Sequence, residues 1–335
     1  MYFKKIRLEI ELGIQERKDV YAAIEKKLET RVVTYVTGDR PSLETQISPD
    51  CFDIFVDVLD EIGPTKKISL ILHTNGGSTS AAWRLVNLIK TFCDEFEVIV
   101  PNKAMSAGTL ISLGANSIIM TKQAALGPID PSLTHPLGPQ FQAGNQLARI
   151  PVSVEAVRGY LDAAREDLKV TDATVLGGLL NNLSDKVHPL VLGEIFRSQA
   201  QIRYLGTKLL SGHIQDHDKV NEIVNFLCAE SGSHDYTINR REAIDLGLNV
   251  VKPDSELYEL LKALHKDYVA EMELLTPFNP LNTVPANGVF DYLFTRGLIE
   301  STLDANYAFV SEGQLRRDGN NNIGDQRNFE GWREQ

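Results

Sequence analysis

At 335 residues, with 43% hydrophobic and 24% charged residues, the chain has the composition of a soluble globular protein, long enough for one large domain with additions or for two small ones. Its formal net charge of −11 weighs against a nucleic-acid partner, because phosphate binding calls for a basic surface. No apolar run reaches the roughly 18–20 residues that span a bilayer, so no membrane span is expected.

Cys51, Cys93 and Cys228 are widely separated and show neither CxxC nor Cys/His ligand spacing, which fits a reducing compartment and predicts no metal site. The opening MYFKKIRLEIELGIQ scatters charges and lacks the apolar centre of a signal peptide, so a cytoplasmic protein is expected. Arg17 to Thr30 is a helical candidate, and RVVTYVTG (Arg31 to Gly38) reads as a strand. A helix follows from about Asp50 to Ile62, ended by Gly63-Pro64. KISLILHTNGG (Lys67 to Gly77) is apolar and β-branched, then stops in polar and glycine residues, as a buried parallel strand does at the carboxyl edge of its sheet. Ser80 to Phe92 is an amphipathic helix, FEVIVPN (Phe96 to Asn102) a second buried strand, Ala104 to Ala115 a helix of small residues, and Ser117 to Lys122 a third strand. Strands and helices alternating at this spacing predict right-handed crossovers and a parallel sheet.

Beyond Ala124 the texture changes. Gly127 to Gln140 is rich in Pro and Gly and is expected to be a loop. Helices are expected at Ser153–Leu168, Thr171–Leu183, His188–Leu210 and Lys219–Ala229, and Arg241 to Val251 reads as a short helix, a glycine cap and a final strand. Asp254 to Leu264 is helical in pattern. From about Ser311 the polar run RRDGNNNIGDQRNFEGW predicts a flexible or docking tail.

Ligands of open parallel sheets bind beyond the carboxyl ends of the strands, and two segments fall there. One is Thr74-Asn75-Gly76-Gly77; the other is Ala104-Met105-Ser106-Ala107-Gly108. A serine at a helix start is often a plain N-cap and a glycine pair a plain turn. Together and in this order, they place Ser106 as a candidate nucleophile, with the N–H groups of Gly77 and Ala107 as an oxyanion hole.

ISLILHTNGGSTSAAWRLVNLIK, followed by VPNKAMSAGTLISLGANSIIMTKQAALGPIDP, resembles the Clp protease and signal peptide peptidase A superfamily, and within it the serine dehydrogenase proteinase family. SGSHDYTINRREAIDLGLNVV resembles the same family's closing motif, so that the similarity covers about Lys67 to Lys252. The resemblance implies an α/β fold of the Clp/crotonase type: a parallel ββα superhelix, here with added helices. It implies a homo-oligomer, a trimer or a multiple of one, and an extended peptide lying beside Gly76 and Gly77 by strand addition. It also implies Ser106 as the nucleophile, with Gly77 and Ala107 as oxyanion donors.

A serine hydroxyl needs a neighbouring base. Clp proteases use histidine and aspartate, and signal peptide peptidases use lysine. The position matching the Clp histidine falls near Asp130, the Clp aspartate matches Asp235, and the peptidase lysine falls roughly at Arg197, which stays protonated and cannot act as a base. Histidine candidates are His135, His188 and His234. His234 is favoured for its place beside Asp235, with His188 second; neighbours in an extended segment point to opposite faces, so a turn would be needed for both to enter a site. Asp130 is expected to brace its loop. His213 and His217 stand four apart but among turn residues, and are not taken as metal ligands.

The sequence therefore predicts an ATP-independent serine peptidase acting through an acyl-enzyme at Ser106, without cofactor. A catalytically degenerate peptide-binding scaffold and an acyl-CoA enzyme of the crotonase type are the alternatives. The expected organisation is an N-terminal strand and helix extension (1–66), a catalytic domain (67–252), a C-terminal helical extension (253–310) and a polar tail (311–335).

Overall fold

Apolar strands buried on both faces set the architecture. The computed structural model describes residues 13–143, 146–230 and 235–335. Two units are present, one formed by the chain up to Leu126 together with Ile238–Gln335, the other by Gly127–Thr237.

The first unit opens with α1 (Ile14–Leu28), whose buried Arg17, Tyr21 and Ile24 share one face, and which stops where Glu29 turns left-handed. Then come β1 (Arg31–Thr37), α2 (Cys51–Ile62), β2 (Thr65–His73), α3 (Thr79–Phe92), β3 (Cys93–Val100), β4 (Lys103–Ala104), α4 (Ala107–Leu113), β5 (Ser117–Met120) and β6 (Ala125–Leu126). In α2 the positions Phe55, Val58 and Leu59 are fully buried, each contributing about 1.5–3 kcal/mol of apolar burial. Ser78 caps α3 by accepting the Ala81 N–H at 3.2 Å.

The second unit carries short strands β7 (Ser132–Leu133), β8 (Gln140–Ala143), β9 (Gln146–Arg149) and β10 (Val152–Ser153), then helices α5 (Val154–Asp162), α6 (Ala173–Lys186), α7 (Pro189–Leu210) and α8 (His217–Asn225). Val154, Val157, Val191 and Ile195 form its small core. Asp130 is buried there, and the Glu155 carboxyl is pushed up to about 7 by burial and by the like charge of Asp130.

The chain then returns to the first unit with β11 (Ile238–Asn239), α9 (Arg240–Asp245), β12 (Val250–Val251), α10 (Ser255–Glu271), α11 (Pro280–Thr283), β13 (Val289–Ser301), β14 (Tyr307–Arg317) and β15 (Ile323–Glu334). Its main sheet has the order β12-β5-β3-β2-β1-β13-β14-β15. The first five strands run parallel, so that Val33, Leu70, Val98, Ile118 and Val250 stand in one row. A small sheet, β11-β6-β4, stands beside it. α1 and α10 cover one face of the main sheet, burying Tyr21, Ile24, Leu261 and Leu264 against Val36, Ile71 and Ile99. The parallel sheet with crossover helices is the architecture the strand spacing predicts.

The C-terminal region departs from expectation. Where a helical extension and then a flexible tail are predicted, Val289 to Glu334 folds as an antiparallel meander joined to the edge of β1. The polar residues that suggest disorder are the solvent face of these strands, and they pair with one another. Arg333 reaches Glu312 at 2.8 Å, Arg327 reaches Asp325 at 3.2 Å, and the Tyr292 hydroxyl donates to Asp325 at 2.7 Å. Asp318 closes the last turn by accepting the N–H groups of Asn320 and Asn322.

Candidate active site

The parallel strands of the first unit end on a shared rim, and two connections meet there. Thr74, just past β2, forms a parallel bridge with Ala104 of β4. The Thr74 N–H donates to the Lys103 carbonyl at 3.1 Å, and the Met105 N–H donates to the Thr74 carbonyl at 3.0 Å. The Thr74 hydroxyl, itself buried, accepts the Gly76 N–H at 2.9 Å and the Thr37 hydroxyl at 2.7 Å. These bonds tie the glycine turn to the segment that carries Ser106.

Ser106 lies just before the first turn of α4 with φ 50° and ψ −111°, an uncommon conformation for a residue with a side chain. Such a residue costs on the order of 1–3 kcal/mol and persists only where its surroundings enforce it. Here they do. The Gly108 N–H donates to the Met105 carbonyl at 2.8 Å, the Leu110 N–H to the Ser106 carbonyl at 3.0 Å, and the Thr109 hydroxyl to the Ala104 carbonyl at 2.8 Å. The sequence predicts a helix from Ala104; the helix in fact starts at Ala107, and Ser106 stands off it, half-buried.

Gly76 and Gly77 fit this site because they have no side chain. A Cβ on Gly76 would lie 2.8 Å from the Ser106 Cβ, which places the two segments in direct contact. Gly77 (φ +143°) runs alongside Ile47: the Ile47 N–H donates to the Gly76 carbonyl and the Ser78 N–H to the Ile47 carbonyl, both at 2.8 Å. In a parallel bridge of this register the N–H and carbonyl of Gly77 itself point away from Ile47. Among the described residues no acceptor takes the N–H of Gly77 or of Ala107. The structure therefore assembles Gly76, Gly77, Ser106 and Ala107, with two unpaired backbone donors next to a strained serine.

The candidate bases are not assembled in this unit. His188 belongs to the second unit, exposed at the N-cap of α7, with Nδ1 accepting the Leu190 N–H at 3.2 Å. His135, in the same unit, accepts the Leu137 N–H at 3.0 Å and lies 3.5 Å from Glu194. Asp235 is exposed, and His234 lies outside the described residues. Among the described residues no group of three or more His, Cys, Asp or Glu is placed to hold a metal.

Sequence reasoning missed a charged cluster on this rim. Asp39, just past β1, contacts Lys103 of β4 and lies 3.5 Å from the buried His73, whose ring stands 5.4 Å from that of His265 in α10. Lys103 is three residues before Ser106, and His73 directly precedes Thr74. Polar residues at the ends of two strands were the available signal; the α10 partner was not readable. Burial opposes the charge of Asp39, yet the nearness of His73 and Lys103 holds the carboxyl well below the usual range. Burial, then the proximity of His73, lowers His265 to about 4.

A histidine held below its ordinary value favours the neutral form in the folded protein, so that the unfolded chain takes up the proton first as pH falls. Its contribution is fully present above about 6.5 and is lost down through about 4. The thermal midpoint should therefore drop over this window, and less steeply in His265→Gln. Equal slopes in the two proteins would show that His265 is not the titrating group.

Residues 4–143 match the family described as ClpP-like SDH-type serine proteinase. Two uncharacterized proteins of Methanocaldococcus jannaschii are similar: one is 31% identical over 207 residues, covering 62% of this chain and 61% of its own, the other 30% identical over 196 residues, covering 58% and 56%. The chain thus spans about three fifths of the length of the curated relatives it matches. Among solved structures, the 1510-N membrane-bound stomatin-specific protease is 18% identical with a TM-score of 0.38, covering 65% of this chain and 79% of that one. ClpP1 from Listeria monocytogenes is 16% identical with a TM-score of 0.36, covering 70% and 99%. No helix of the described residues is long and apolar enough to cross a membrane. The fold is α/β and Clp-like, and residues 4–143, which carry Gly76, Gly77, Ser106 and Ala107, are similar to the ClpP-like SDH-type serine proteinase family.

Proposed function

We propose that the protein is a serine peptidase that cleaves peptide bonds through an acyl-enzyme at Ser106. The observation that carries this reading is the strained Ser106 set against Gly76, beside the unpaired N–H groups of Gly77 and Ala107. The Ser106 Oγ attacks the scissile carbonyl and its proton passes to the base. The carbonyl oxygen becomes an oxyanion held by the Gly77 and Ala107 N–H groups. Collapse breaks the C–N bond, the base protonates the leaving amine, and water then hydrolyses the ester. His234 with Asp235 is the proposed base, and His188 the second candidate. An extended substrate adds as a strand beside Gly76 and Gly77, on the side away from Ile47. By the same reading the enzyme works in the cytoplasm as a homo-oligomer, a trimer or a multiple of one, and consumes no ATP.

Treatment with a fluorophosphonate probe tests this. The wild type should label and Ser106→Ala should not, and labelling should also be lost in His234→Ala or in His188→Ala, whichever residue is the base. A wild type that stays unlabelled from pH 6 to 9 would leave the peptide-binding scaffold as the better reading.

A further inference from the structure

Arg296 occupies the bulge of β13, where the register against β14 shifts between Thr295 and Gly297. Both its backbone and its side chain reach the segment that follows β1. Its carbonyl accepts the Gly38 N–H at 2.8 Å and the Thr45 hydroxyl at 2.6 Å. Its Nε donates to the Leu43 carbonyl at 2.9 Å and one terminal nitrogen donates to the Glu44 carbonyl at 2.7 Å. The other terminal nitrogen is anchored on the Ser311 hydroxyl and on Glu330, at 2.8 and 2.9 Å. Three residues beyond Glu44 is Ile47, whose backbone pairs with Gly76 and Ser78.

Packing holds the segment at Ile47, whose side chain is buried, but not upstream, where Glu44 and Gln46 are exposed. A cavity of about 190 Å³ lies there, lined by Thr45, Gln46, Ser48, Arg296 and Trp332 among others. Directional hydrogen bonds must therefore fix the path of the segment, and a planar guanidinium is suited to gripping two successive carbonyls while its far edge stays anchored.

We propose that Arg296 is a positioning residue for the glycine arm of the site. By fixing Leu43 and Glu44 it fixes Ile47, and through Ile47 the direction in which the Gly77 N–H points. The C-terminal meander, outside the family-matched residues 4–143, thus completes the geometry of a site built within them. The assignment of an effect on catalysis rests on the peptidase reading; the effect on the glycine arm does not.

Amide hydrogen exchange on the full chain separates the two. In Arg296→Met the Ile47 and Ser78 amides should exchange about tenfold faster or more, the scale of one lost charge-assisted hydrogen bond, while β2 and β3 amides keep their rates. Arg296→Lys, with no planar fork, should recover only part of the protection. Thr45→Val, which removes the hydroxyl bonded to the Arg296 carbonyl, should show the same local pattern more weakly and serves if Arg296→Met does not fold. In parallel, the rate of fluorophosphonate labelling should fall with the loss of Ile47 and Ser78 protection across the series. Unchanged exchange at Ile47 and Ser78, or equal acceleration throughout the first unit, would overturn the proposal. A wild type that never labels, with the local exchange pattern intact, would count against the peptidase reading and leave the positioning role standing.

Discussion

Replacing Arg17 with methionine should cost about 3–5 kcal/mol of stability, the usual cost of stripping a buried ionic network of a cation. Arg17 is 1% exposed, and its guanidinium grips both oxygens of Glu300, at 2.9 and 2.6 Å. It also donates to Asp267 at 2.7 Å and to Glu271. The Tyr21 hydroxyl donates to the same Glu300 at 2.6 Å and meets the Tyr268 hydroxyl at 2.9 Å. Burial works against the charge of Arg17, but the hydrogen bonds and charge of Glu300 outweigh it and keep the guanidinium fully charged. Methionine would leave Glu300 and Asp267, both buried, without that cation. Burial already holds the Glu271 carboxyl above its ordinary value against the pull of Arg17, so without the cation it rises further, and the variant binds more protons folded than unfolded and regains stability as pH falls. Denaturant titration at several pH values measures both effects. The double variant Arg17→Met/Glu300→Leu should recover part of the loss by removing a carboxylate with the cation. A loss below about 1 kcal/mol, flat with pH, would mean the network is no stronger than a surface pair.

Gly77→Ala should slow fluorophosphonate labelling by about 10²–10³-fold, the range for removing one oxyanion donor. An added Cβ would stand 2.3 Å from the Ile47 carbonyl oxygen and 2.6 Å from its nitrogen, both backbone atoms that cannot swing aside. The φ of +143° strains any side chain there as well. The segment must shift, and a displacement of about 1 Å in a reacting site costs roughly a hundredfold. Because Gly77 sits on the rim and not in the core, unfolding should change far less than labelling. Gly178→Ala is the control: it lies in α6, its Cβ would touch nothing within 4 Å, and labelling should be unaffected. Equal labelling by Gly77→Ala and wild type would remove Gly77 from the oxyanion site.

The parallel half of the main sheet was legible because its strands are covered on both faces, which leaves uninterrupted apolar runs such as ISLIL and FEVIV. The same logic found Ser106 with Gly76 and Gly77, since a buried strand that ends in small and polar residues marks the rim. What the runs could not reveal was the off-helix conformation of Ser106, set by the bonds of Met105 to Thr74 and Gly108. The meander was misread for the opposite reason. One face of β15 is open to solvent, so Asp325 and Arg333 look like tail composition until their cross-strand partners Tyr292 and Glu312 are seen. The cluster of Asp39, His73, Lys103 and His265 joins four separate segments, and no local pattern announces it.

The position of β13 against β1 has a consequence for how the chain is made. Arg17 and its partner Glu300 are 283 residues apart, and the free edge of β1 is closed only by β13. At about 5–20 residues per second a ribosome needs roughly 15–60 s to travel that distance. Through that interval the nascent chain can pair β1 with β2, but Arg17 of α1 lacks Glu300 and β1 has an open edge. The nascent chain is therefore exposed to strand-mediated association until β13 has been made, and the meander of β13 to β15 acts as the closing clasp of the parallel half of the sheet.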